Sequence, residues 1–273
     1  MIKEHFLVTV KTYPTLSARY GETVCTAGIR KDGTWIRLYP VQFRRLNEQA
    51  QYKKFDWIKL DVDRSSSDTR PETFVPCDSQ AIEVTGHVDT TDEWRERRRL
   101  VLEKATVFDR LEPLLQKAKS NDASLAVFKP TVIHDFIWEP CERNWDNAKV
   151  AAIRQNAKQR ELFDEYLWQQ TFSLLPKLPY NFSYRFKDAD GKTSELQVLD
   201  WEAGALYWKC LRGADGNEDV ALAKVRQKYF DEFTAKDLHF FLGTTQEFHF
   251  RAPNPWVIVG VLPIPHERQG SLF

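Results

Sequence analysis

The stretch Glu22-Thr-Val-Cys-Thr-Ala-Gly-Ile29, Arg30-Lys31-Asp32-Gly33, Thr34-Trp-Ile-Arg-Leu-Tyr-Pro-Val41 decides how this chain folds. Two β-prone segments flank an Asp-Gly pair, which supplies the positive backbone torsions that a tight hairpin turn needs. The hairpin predicts an antiparallel β unit around it. Working outward, Phe6 to Val10 reads as a strand, Phe55 to Asp63 as another, and Phe74 to Val88 as one or two more, with Ser65 to Asp68 as an intervening loop. Residues 1–90 are expected to form one small β domain.

Beyond it the pattern turns helical. Thr91 to Lys119 carries apolar residues at helical spacing (Leu100, Val107, Leu111, Leu115) with Pro113 dividing it, and Asn147 to Gln170 reads as a second helix. Ala126 to Trp138 is extended around Pro130. Residues 91–175 are therefore expected to be a helical connecting region. A second β-rich domain is expected over 176–264, with a hairpin at Asp188-Ala189-Asp190-Gly191, a helix from Asp219 to Phe233, and strands at Leu238 to Leu242, Glu247 to Phe250 and Trp256 to Leu262. Pro263 and Pro265 end it, leaving 265–273 as a tail.

The charges balance, with 39 Lys and Arg against 39 Asp and Glu, so no global field draws the chain to nucleic acid or membranes. The excess is local: between Lys11 and Lys59 ten basic residues face four acidic ones, Glu22, Asp32, Glu48 and Asp56. The N-terminus lacks an apolar signal core and no run approaches a membrane span, which predicts a cytoplasmic protein without a membrane partner. Cys25, Cys77, Cys141 and Cys210 have no zinc-type spacing, so free thiols, no metal and no cofactor are expected.

Alternation marks a candidate binding face. Trp35, Arg37 and Tyr39 share one side of their strand while Ile36 and Leu38 share the other, and Phe55, Trp57 and Lys59 lie opposite Ile58, Leu60 and Val62. With Arg44 and Arg45 close by, rings interleaved with cations make a stacking platform for single-stranded DNA or RNA. The alternative is that this face packs under the Thr91 to Lys119 helix as a second core layer. The Arg95, Arg97, Arg98, Arg99 run reads as a solvated helix face, with phosphate contact as the alternative. Asp200 and Glu202 are weak candidates for holding a divalent cation in a nucleic-acid enzyme, against a loop that caps a following helix. A small pocket lined by Gly243-Thr244-Thr245-Gln246, or a box made by Trp35 and Trp57 around a nucleotide or modified base, keeps a ligand-sensor reading open. No phosphate loop, nucleophile elbow or dinucleotide fingerprint is present.

Two resemblances add to this. The segment Lys11-Thr-Tyr-Pro-Thr-Leu-Ser-Ala-Arg-Tyr-Gly-Glu-Thr-Val-Cys-Thr-Ala-Gly-Ile29, continuing through Gly33-Thr-Trp-Ile-Arg-Leu-Tyr-Pro-Val41, resembles the opening of a group of uncharacterised prokaryotic proteins carrying a dual OB-fold domain. It implies barrels of the kind that bind single strands or oligosaccharides. The final Gln269-Gly270-Ser271-Leu272-Phe273 resembles the pentapeptide by which bacterial polymerases and repair proteins hook onto the sliding clamp, with Gly270 in place of an apolar residue. The resemblance implies that Leu272 and Phe273 anchor in a pocket while the Gln269 amide makes oriented hydrogen bonds at its rim, with Ser271 as the small third residue of the partner-binding motif. The expected fold is α+β, two small antiparallel OB-like or PUA-like β-barrel units joined by helices. The expected function is a non-enzymatic nucleic-acid-associated factor of DNA repair or phage defence, recruited to the sliding clamp.

Overall fold

In the computed structural model, residues 1–17, 20–160 and 174–266 are described. The Asp32-Gly33 hairpin forms as the sequence dictates. Asp32 Oδ1 accepts from the Thr34 backbone N–H and hydroxyl, Gly33 donates to the Arg30 carbonyl at 3.0 Å, and Gly33 takes a φ of +89°, in the left-handed region that favours glycine. A Cβ there would also meet the Lys104 carbonyl at 2.1 Å.

The hairpin joins β3 (Gly21–Arg30) to β4 (Trp35–Val41), within a set that also contains β1 (Ile2–Lys11), β2 (Thr15–Ser17), β5 (Asp56–Arg64), β6 (Thr73–Pro76) and β7 (Glu83–His87). The order β1-β3-β4-β6-β5 closes on itself through β1 and β5, with registers such as Phe6 opposite Ile58 and Ile29 opposite Trp35. All neighbours run antiparallel except β4 and β6. This is a closed five-strand barrel with the OB strand order. Its inside is the apolar set of each alternating strand, Phe6, Val8, Ile36, Leu38, Ile58, Leu60 and Val62, with Phe43 and Tyr52 packed in from the β4–β5 connection.

A second sheet follows α1 (Thr91–Val101) and holds β8 (Val107–Phe108), β9 (Leu125–Phe128), β10 (Val132–Pro140), β11 (Tyr180–Lys187), β12 (Thr193–Val198), β13 (Asp237–Thr244) and β14 (Trp256–Ile264). Its order is β10-β11-β12-β14-β13-β9-β8, with β12 and β14 parallel. Because β9 and β10 are one strand broken only at Lys129 to Thr131, where proline removes a ladder donor, the order repeats that of the first barrel. The remaining helices are α2 (Leu111–Lys119), α3 (Asn147–Arg160), α4 (Trp201–Arg212) and α5 (Glu218–Arg226), the last running into a π-helical stretch Gln227–Glu232. The fold is thus α+β with two OB-like units.

The structure departs from the sequence reading in the following places. The extended segment around Pro130 is the first strand of the second barrel, not part of a helical connector, because β9 pairs with β13 and β10 with β11. Glu247 to Phe250 is a turn, closed by His249 N–H to the Thr245 carbonyl at 3.0 Å, and leaves Phe248 and Phe250 exposed. Trp201 to Arg212 is a helix that the sequence reading did not assign.

The barrels share a third core. Leu7, Val10, Ala27, Ile29 and Phe55 of the first pack with Leu125, Val127, Phe241, Val259, Leu262 and Ile264 of the second, and α1 covers them with Leu100 and Val101. At the junction Gly204 of α4 lies so close to Tyr13 that an added Cβ would meet the ring at 2.3 Å.

Candidate functional site

A cleft of ≈ 590 Å³ opens along one side of the barrel junction. Its wall is built from segments far apart in sequence: Lys11 at the end of β1, Lys53 to Phe55 before β5, His87, α1, the start of α4, and Lys228 to Lys236 beyond α5. Six lysines and arginines line it (Lys11, Lys53, Lys54, Arg97, Lys228, Lys236) with Glu202 the one carboxylate among the lining residues. Phe55, Trp94, Trp201 and Phe233 supply rings.

Each cation is held differently. Lys54 is buried, and its Nζ donates to Asp200 at 3.1 and 3.3 Å and to Glu202 at 3.1 Å. Burial alone would lower its pKa, but the two carboxylates outweigh this and hold it above the ordinary lysine value. Lys228 pairs with Glu232 at 2.5 Å. The Arg97 Cζ lies over the Phe55 ring at 3.9 Å and the Trp94 ring at 4.8 Å, and the guanidinium donates to the Val88 carbonyl through Nε and Nη2. The Lys11 Nζ sits 3.8 Å above the Phe43 ring and 4.6 Å from that of Trp201, and burial lowers its pKa to about 8. Among the described residues no carboxylate pairs with Lys11, Lys53, Arg97 or Lys236. These four are the charge the cleft can offer a ligand.

Backbone strain is concentrated here. Phe55 has φ of 69°, and Asp92, Glu93 and Trp94, the first turn of α1, have φ of 48°, 54° and 65°. Non-glycine residues in this region cost roughly 1–2 kcal/mol each, and such strain gathers where a side chain must be aimed. Here it aims Phe55 and Trp94 at Arg97.

The sequence candidates divide. Ile36 and Leu38 face the first barrel's interior, so the alternation was read correctly. Its outer face, however, packs on the second barrel. Trp35 meets Phe241 edge-on at 6.0 Å, and Arg37 is 1% exposed, donating to Ser124 Oγ at 2.6 Å and to the Ser124 carbonyl at 2.9 Å. Arg37 is therefore not a solvent-facing contact for nucleic acid, because its guanidinium is buried at the junction and bonds to Ser124 of the second barrel. Phe55 is likewise buried, beneath Arg97, yet it borders the cleft. Tyr39 is half-buried and lines a separate, smaller cavity, and Trp57 is half-buried against His5. Lys59 pairs with Glu83 at 3.8 Å and Arg44 with Glu22 at 2.9 Å, while Arg45 is exposed. Asp200 is the N-cap of α4, accepting from the Glu202 N–H at 3.2 Å. Lys54 stands between Asp200 and Glu202 where a cation ligand would be, and the described residues hold no group of three or more metal-ligating side chains. Gln269, Ser271, Leu272 and Phe273 lie outside the described residues.

The sequence reading placed Lys11 and Lys53 only within the basic excess between Lys11 and Lys59, and it missed Trp94, Trp201 and Lys236. A second signal was the Arg95 to Arg99 run beside Trp94, of which Arg97 alone is buried.

Fold and cleft together define a dual-barrel protein with a cationic, ring-lined groove at the barrel junction. The chain belongs to the family described as "Domain of unknown function (DUF8757)", which matches residues 87–273, and residues 2–103 match "Domain of unknown function (DUF8758)". No curated protein matches the sequence. A murine DNA-binding protein solved with double-stranded DNA is similar at 11% identity, over 98% of this chain and 99% of that one, with a TM-score of 0.30. That score carries no argument about ligand. No helix among the described residues is long and apolar enough to cross a membrane.

Proposed function

We propose that this chain is a nucleic-acid-associated factor that takes a single-stranded segment into the cleft between its barrels. The observation that supports this is the convergence of Lys11, Lys53, Arg97 and Lys236, all without acidic partners among the described residues, on a groove that also presents Trp94 and Trp201. Phosphates are met by the cations, and unstacked bases by the ring faces, each worth about 1–3 kcal/mol in single-strand binding. A duplex buries its base faces in its own stack, so the rings favour a single strand. Recruitment to a bacterial sliding clamp through Gln269, Ser271, Leu272 and Phe273 belongs to the same proposal and rests on the pentapeptide alone.

Fluorescence anisotropy with labelled single-stranded and duplex oligonucleotides, at several salt concentrations, tests the cleft. Single strands are expected to bind more tightly, and Trp94→Ala to weaken them by about tenfold or more while the melting temperature holds. Equal binding of duplex, or no effect of Trp94→Ala, overturns the assignment of the cleft.

A further inference from the structure

Strand β14 runs from Pro263 at the cleft to Val257 and Val259 at the far end of the barrel junction, where they floor a second cavity of ≈ 190 Å³. The two cavities have no lining residue in common. Val10 and Leu125 complete an apolar bed, and the polar run expected from sequence to line a pocket does so through Thr244, Thr245 and Gln246.

Two buried polar atoms of its lining residues have no partner among the described residues: Arg37 Nε and Thr245 Oγ1. Arg37 uses its two terminal nitrogens for structure, Nη1 on Ser124 Oγ and Thr73 Oγ1 and Nη2 on the Ser124 carbonyl, while Nε has no partner among the described residues. A buried donor without a partner loses its hydrogen bond to water on folding, and a ligand acceptor would restore one. The charges nearby are already matched. Arg70 pairs with Asp68 at 2.5 Å, and Glu72 accepts from the Ser124 N–H and hydroxyl, whose oxygen in turn accepts from Arg37. An anion brought here would add unmatched buried charge.

We propose that this cavity binds a small neutral heterocycle of nucleobase type, with a ring carbonyl accepting from Arg37 Nε, a ring N–H donating to Thr245 Oγ1, and its flat apolar body against Val10, Leu125, Val257 and Val259. The volume lies below the about 300 Å³ at which drug-sized sites begin, so the occupant is a base without its sugar chain. This site does not rest on the reading of the cleft.

The test uses the full chain with uracil, hypoxanthine and benzoate as probes, by saturation-transfer NMR and calorimetry. Uracil or hypoxanthine is expected to bind and benzoate not. Thr245→Val keeps the side-chain shape and is expected to weaken the heterocycle about five- to tenfold with an unchanged melting temperature, the effect of one lost hydrogen bond. Lys53→Ala with Lys236→Ala, which disarms the cleft, is expected to leave heterocycle binding unchanged. Absence of any binding at millimolar probe means the cavity holds water only and overturns the proposal. So does tighter binding of benzoate, or an affinity indifferent to Thr245→Val.

Discussion

Replacing Lys54 with methionine tests whether the Lys54, Asp200 and Glu202 cluster is a structural clamp between the barrels. Lys54 reaches Asp200 at 3.1 Å across 146 residues of sequence, and the two side chains are 6% and 0% exposed. Methionine preserves the stem and removes the charge, leaving a carboxylate buried without its cation. Breaking a buried pair in this way costs about 3–5 kcal/mol, a large part of a typical total stability of about 5–15 kcal/mol. With a urea slope of about 3 kcal/mol per molar, the midpoint should fall by about 1–2 M. The loss should also depend on pH. Burial already pushes the Asp200 carboxyl up to about 6, and losing Lys54 raises it further. A carboxyl whose folded pKa lies above its unfolded value contributes stability at low pH that is lost as pH rises through the folded pKa. The deficit of Lys54→Met should therefore be greatest at alkaline pH, above the variant's raised Asp200 pKa, shrink as pH falls from there to about 6, and stay small below that, and adding Asp200→Asn should remove most of it. A deficit under about 1 kcal/mol that is flat with pH would refute the clamp, as would a rise in wild-type melting temperature on adding magnesium, which would restore Asp200 and Glu202 as metal ligands.

Three further outcomes are expected. The log of single-strand affinity should fall with the log of salt at about 0.7 per phosphate neutralised, so three or four contacts give a slope of about −2 to −3, and Lys53→Ala with Lys236→Ala should flatten it by about 1.4. Since Lys11 loses its proton near pH 8 when free and a bound phosphate favours the charged form, affinity should drop as pH rises through about 8, a step that Lys11→Ala removes in anisotropy titrations. Trp35→Ala should lower stability through cavity formation at the barrel junction, by up to about 3–5 kcal/mol and visible as a lower melting temperature, with cleft affinity unchanged per folded molecule.

How far the sequence carried the reading depends on how far apart the partners are. The Asp32-Gly33 turn and the strands beside it were legible because the turn chemistry and the alternation are local, and Ile36 and Leu38 turn inward as that pattern requires. Alternation distinguishes two faces of a strand but does not say what covers the second one. For Arg37 the cover is Ser124, 87 residues on, and a residue type suited to phosphate contact proved to be a bolt between barrels. The same applies to Asp200 and Glu202. Two carboxylates spaced for a metal were visible, and the lysine that neutralises them was not. The second barrel's first strand was read as extended but assigned to a connector, since its pairings with β11 and β13 close over long loops.

The cleft is a property of the junction and not of either barrel. Lys11, Lys53 and Lys54 come from the first barrel, Trp201, Glu202, Val261 and Pro263 from the second, and Trp94 and Arg97 from the helix between them. That helix, Thr91 to Val101, falls inside both family matches, 2–103 and 87–273, so it is the segment the two units share. Arg97 ties it to the first unit through the Val88 carbonyl and the Phe55 ring, while Arg98 ties it to the second through Asp237 at 3.4 Å and the Pro265 carbonyl at 2.9 Å. Separating the barrels would divide the cations of the cleft between two open surfaces, each with fewer phosphates in reach and no facing ring. A first unit expressed alone through Val101 should thus show a salt slope smaller by the contribution of Lys236, and single-strand binding at full strength by that fragment would place the interface elsewhere on the first barrel.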